Sequence, residues 1–103
     1  MNILPLPVKK NKFGDEVRYI NSTDYYRQIT EEVLEAYKEA VIFEDRYPGE
    51  YPRAFRDDEA IELVDIITCC ITRLDILGFD ETKRQELFNA VNEKNRKRGY
   101  LED

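Results

Sequence analysis

The sequence predicts an all-α fold: an antiparallel bundle of three main helices behind an irregular N-terminal arm, completed by self-association. Three observations lead there. Apolar residues recur at three- and four-residue intervals from Tyr26 onward. Proline and glycine are confined to the segments between the periodic stretches (Pro5, Pro7, Gly14, Pro48, Gly49, Pro52, Gly78, Gly99). The central helix also carries more apolar surface than two neighbours from one chain can easily cover.

The arm spans 1–21. Pro5 and Pro7 bar an early helix, Gly14-Asp15 signals a turn, and Lys9, Lys10 and Lys12 make the segment locally basic. Val17, Tyr19 and Ile20 are expected to form a brief extended stretch. Ser22 or Thr23 then caps a first helix over about 22–44, with Asp24 favourably placed near its positive end. Its inward stripe is Tyr26, Ile29, Val33, Ala36, Tyr37 and Ala40. Pro48, Gly49 and Pro52 enforce the next loop.

Asp57 or Asp58 caps a second helix over about 58–77, the most apolar stretch of the chain. At about 100° per residue its apolar positions cover well over half the circumference. Gly78 ends it in the left-handed conformation. Asp80 caps a third helix over about 81–98, with Leu87, Phe88 and Val91 inward and Gly99 as its stop. The 103 residues thus read as one domain, an arm at 1–21 and a helical body at 22–103.

Composition excludes several functions. Leu, Ile, Val and Phe supply 28 residues, too many for a chain disordered by composition. No apolar run approaches the roughly 18 residues of a membrane span, and the first residues do not read as a secretory signal. A net charge of −6 argues against a nucleic-acid polymer as partner. Histidine is absent, which removes His-based nucleophile systems and His-ligated zinc. Cys69 and Cys70 are adjacent, fit no CxxC metal pair, and read as buried, reduced thiols of a cytoplasmic protein. Catalysis is left to carboxylates, Lys, Arg, Tyr or a bound hard cation.

The acids are unusually placed. With Ile29 at 0° on the helical wheel, Glu32, Glu39 and Glu35 fall at about −60°, −80° and −120°, one flank of the buried stripe. On the second helix Glu62 and Asp65 are three apart and share a face with Asp58, Thr68, Cys69 and Thr72, Arg73 at its edge. Exposed helical acids usually find a base three or four residues away. Glu32, Glu62 and Asp65 have none at those positions, and Glu35 has only Lys38. Like charges stacked in this way repel unless protons or a cation neutralise them. Two helices that each present acids at i, i+3 can face one another as a carboxylate cage. Oxygen-only ligation points to Mg²⁺ or Mn²⁺ over zinc or copper.

Glu31-Glu32-Val33-Leu34-Glu35, followed 26 residues later by Glu62-Leu63-Val64-Asp65, resembles the EExxE…ExxD signature of the MazG-like all-α nucleotide pyrophosphohydrolases, a superfamily that includes the dimeric dUTPases. Glu93-Lys94-Asn95-Arg96-Lys97-Arg98 is similar to the Lys-Asn-x-x-Arg segment of many members. The likeness covers about 22–101. It implies that Glu32, Glu35, Glu62 and Asp65 bind Mg²⁺, and that Lys94, Asn95 and Arg98 meet the phosphates of a nucleotide. It further implies cleavage of a nucleoside triphosphate to monophosphate and pyrophosphate by a homodimer or homotetramer. Glu32 or Glu35 would take the proton of the attacking water, and the residues leave that choice open.

Other polar and aromatic positions weigh less. Arg96 and Lys97 serve equally well as a solvated helix end, where bases suit the macrodipole. Tyr47, Tyr51 and Phe55 read as packing residues before base-stacking ones. Cys69 reads as a small core filler. Arg53 and Arg56 fit either a phosphate or a loop cover. The competing function is a non-catalytic helical oligomer that keeps the fold as an interaction or regulatory module. Four mutually repelling acids would have little reason to persist there.

Overall fold

In the computed structural model, which describes residues 5–11, 13–47 and 57–101, Asn21 rather than Ser22 or Thr23 caps the first helix. Its side-chain oxygen accepts from Asp24 N at 2.9 Å, and its amide donates to Asp24 Oδ2 at 3.0 Å. Four cap-competent residues stand in a row at 21–24. The one whose oxygen reaches an orphan N–H three residues on wins. Helix α1 runs Ser22–Arg46, α2 Asp57–Ile76 and α3 Glu81–Lys97. Asp57 and Asp58 therefore lie inside the first turn of α2 rather than capping it, favourably placed at its positive end. The described residues contain no strand, only an antiparallel bridge between Lys10 and Glu16. The fold is all-α with an irregular N-terminus, and no described helix is long and apolar enough to cross a membrane.

The chain divides into two compact units, Met1–Arg73 and Leu74–Asp103. In the first, α1 and α2 run antiparallel. Tyr25 near the start of α1 meets Cys69 late in α2, Glu32 meets Glu62 and Asp65, and Glu39 and Ile42 share a hollow with Asp57 and Asp58. Among the described residues the buried positions are Val17, Tyr25, Ala36, Ile71 and Thr72. Tyr25 goes inward in place of the expected Tyr26, which is 54% exposed, because its hydroxyl donates to the Cys69 carbonyl at 2.8 Å. A buried hydroxyl needs such a partner.

The arm turns at residues 9–17, where Gly14 adopts φ +84° as the turn signal predicts. Val17–Tyr19 is a 3₁₀ turn rather than an extended stretch. Tyr19 N donates to Glu16 O and Ile20 N to Val17 O, the local bonds that define it. Val8 N donates to Thr72 Oγ1 at 2.9 Å, tying the arm to α2, and Thr72 Oγ1 donates onward to Thr68 O at 2.7 Å.

Much of the apolar surface of α1 and α2 stays uncovered. Val33, Leu34, Tyr37, Val41 and Ile42, with Ile61, Leu63, Val64 and Ile67, are between 38% and 66% exposed. Of the inward stripe expected on α1, only Ala36 is buried. Cys69 and Cys70 are free thiols as expected, but Cys70 is exposed rather than buried.

In the second unit, Gly78 at φ +93° ends α2. Gly78 N bonds Asp75 O and Phe79 N bonds Leu74 O, the paired closure of a Schellman motif. Gly99 at φ +77° repeats it after α3, through Gly99 N to Arg96 O and Tyr100 N to Asn95 O. Asp80 caps α3 as expected, its carboxylate accepting from Lys83 N at 2.9 Å. Arg84 Nη1 donates to Phe79 O at 2.7 Å and lies 3.4 Å from Asp75 Oδ1. No residue of α3 is buried; Leu87 and Val91 are exposed and Phe88 is half-buried.

Candidate metal centre

Glu32 reaches α2 from the middle of α1, and Glu62 and Asp65 lie one turn apart on α2. Each offers a carboxylate oxygen, and the three oxygens all lie within 4.8 Å of one another. Glu32 and Glu62 are half-buried; Asp65 is exposed. No described base pairs with any of the three. The i, i+3 spacing on α2 sets two of the ligands, and the antiparallel approach of α1 brings the third.

The electrostatics follow from that crowding. Partial burial holds the Glu32 carboxyl above its ordinary value, and the charges of Asp65, Glu62, Glu35 and Glu31 add to the effect. Glu62 is raised as well, through loss of hydration and then the charges of Asp65, Glu35, Glu39 and Asp58. Cys69 is pushed up by burial, with Glu32, Cys70 and Asp65 contributing. Its thiol is thereby kept protonated, a poor ligand for a cation.

Glu35 stands outside the close trio. Its Oε1 lies 3.4 Å from Lys38 Nζ, a pairing visible in the sequence at i, i+3. Even so, its charge acts on both Glu32 and Glu62. The donor oxygens lie within 4.8 Å of one another, a separation comparable to the roughly 4.2 Å across an octahedral Mg²⁺, twice its metal–oxygen distance. The donor set, carboxylates only, suits a hard cation.

The remaining expected site residues are distributed as follows. Lys94 and Asn95 lie in the last turns of α3, and Arg98 is its C-cap residue at φ −83°, ψ −3°, its N–H donating to Lys94 O at 3.2 Å. They belong to the second compact unit, the carboxylate trio to the first. Arg96 is held by Glu93 at 3.0 Å, which favours its solvated-end reading. Tyr47 packs its ring against Phe43 at 4.9 Å between centroids, as a packing residue would. Tyr51, Arg53, Phe55 and Arg56 lie outside the described residues.

The sequence puts Arg73 at the edge of the acidic sector but does not show its packing between helices. Arg73 stacks its guanidinium over Tyr25 and Tyr26 at 5.6 and 5.5 Å from the ring centroids. Its Nε is buried without a described acceptor. Adjacent tyrosines on one helix facing an arginine on another leave no periodic trace in either strand of sequence. No protein-family model matches the chain, and no curated protein or solved structure is significantly similar to it.

Proposed function

We propose that the protein is an Mg²⁺-dependent nucleotide pyrophosphohydrolase of the MazG-like kind, with Mn²⁺ as a substitute ion, working as a homodimer or homotetramer in the cytoplasm. The observation that supports this reading is the convergence of Glu32, Glu62 and Asp65 from two helices with no described base to neutralise them. Three carboxylates in that arrangement are costly to hold together in a folded chain without protons or a cation.

A divalent ion there would supply positive charge against phosphate oxygens and acidify an attacking water. The chain's own residues do the rest. Glu62 and Asp65 hold the charge in place from one rigid helical turn. Glu32, raised in basicity by partial burial and its acidic neighbours, is a good proton acceptor for that water. Glu35, 3.4 Å from Lys38 at the edge of the group, would add to the negative field and would be the fourth carboxylate available to the ion. Lys94, Asn95 and Arg98 are the proposed donors to nucleotide phosphates.

The test is a product-resolved assay of the full chain with each common nucleoside triphosphate in Mg²⁺ or Mn²⁺. The expected products are the nucleoside monophosphate and pyrophosphate. Glu62→Gln should lower the rate at least a hundredfold, about 2.7 kcal/mol of barrier. A folded wild type that hydrolyses nothing would favour the interaction-module reading. The exposed apolar faces of α1 and α2 equally suit such a module.

A further inference from the structure

An open hollow of about 640 Å³ lies between the turn of the arm and the first half of α1, within the usual range for ligand clefts. Lys10, Asn11 and Phe13 wall it from the arm; Arg27, Gln28 and Glu32 wall it from α1. Glu32 thus belongs both to the carboxylate trio and to this hollow.

The arm side is firmly built. Asn11 Oδ1 accepts from Phe13 N at 2.9 Å and Asp15 N at 3.0 Å, and Asn11 N donates to Asp15 O at 2.9 Å. Val17 N donates to Lys9 O at 3.1 Å, and the Val8 bond to Thr72 moors the turn on α2. Phe13 stands at the tip of this braced turn with 76% of its surface exposed. Turn tips are ordinarily small and polar, so an exposed phenyl ring is unusual there. Across from it lies Gln28, exposed, its side-chain amide in no hydrogen bond with a described residue.

Charge decides which part of a ligand suits the hollow. Arg27 is already matched by Asp24 at 3.5 Å, and Asp24 and Glu31 also line the rim beside Glu32. Acids outnumber the two bases, so a polyphosphate alone gains little here. An uncharged, flat, hydrogen-bonding group gains from the ring and the amide.

We propose that this hollow seats the nucleoside half of the substrate, Phe13 stacking on the base and Gln28 bonding its edge, so that the phosphates extend past Glu32 to the carboxylate trio. The proposal rests on the nucleotide-hydrolase reading above. Base–aromatic stacking carries enough affinity for its loss to be measured.

Calorimetric titration of the full chain in Mg²⁺ tests it, using the non-hydrolysable α,β-methylene triphosphates of uridine, cytidine, adenosine and guanosine, and inorganic tripolyphosphate. Phe13→Ala should weaken binding of the preferred nucleoside analogue at least tenfold and leave tripolyphosphate within twofold of wild type. Phe13→Tyr should restore the nucleoside affinity, and Gln28→Ala should narrow the spread among the four bases. Unchanged melting temperatures would exclude a folding effect. Nucleoside analogues bound equally by wild type and Phe13→Ala would overturn the seat while leaving the hydrolase reading intact. A wild type that binds none of the nucleoside analogues would overturn both.

Discussion

Glu32 sits where partial burial, the charges of Asp65 and Glu62, and the open hollow beside the arm meet. Its carboxyl and that of Glu62 are raised, so the folded chain binds more protons than the unfolded one above the ordinary carboxylate value of 4.5. Stability from this source is full below that value and is lost as pH rises through the raised values. Glu62→Gln should therefore melt higher than the wild type at pH 7 without metal, and the advantage should shrink toward pH 5, as calorimetry can follow. Tyr25 titrates in the opposite range. Burial pushes it from 10 up to about 12, so the unfolded chain ionises first and stability falls as pH climbs from 10 to 12. Tyr25→Phe should remove its share of that alkaline loss and cost about 1 kcal/mol at neutral pH through the lost bond to Cys69, measured by urea denaturation. The trio was legible in the sequence because helical spacing fixes Glu62 beside Asp65, and the wheel puts Glu32 next to the inward stripe of α1. Tyr25 was not. The choice between two adjacent tyrosines is made by a carbonyl on α2, which the α1 periodicity does not contain.

At the level of elements, the helices owe their ends to short-range chemistry that a sequence displays well. Gly78 and Gly99 stop α2 and α3 with left-handed closures, and Asp80 caps α3. Gly78→Ala should cost about 1–2 kcal/mol, because a Cβ is strained at φ +93° although open space surrounds it. Asn21→Ala should cost about 1 kcal/mol, and Ser22→Ala much less, which separates the observed cap from its neighbour by thermal or chemical denaturation. Legibility fades where several residues compete for one role, as in the run Asn21-Ser22-Thr23-Asp24. It also fades where a turn forms between non-periodic residues. Val17, Tyr19 and Ile20 have the composition of a strand, yet the pairing across the arm stops at Val17 N with Lys9 O, and local bonding wins beyond it as a 3₁₀ turn.

Across the whole molecule, α1 and α2 leave an apolar surface far larger than isolated exposed side chains would make. Light scattering at micromolar concentration should find a dimer or tetramer of the 12.3 kDa chain. Ile67→Asp, at a position 44% exposed on that surface, should weaken assembly. The proposed hydrolysis depends on a carboxylate trio that a cation would make tolerable, so metal linkage is the most direct measurement. A ligand that binds only the folded state stabilises it, by about 2.7 kcal/mol at a hundredfold excess over its dissociation constant. The melting temperature of the wild type at pH 7 should rise by several degrees in millimolar Mg²⁺ or Mn²⁺, and Asp65→Asn should lose most of that rise. A wild-type melting curve indifferent to both ions, or a shift that Asp65→Asn retains in full, would contradict the account.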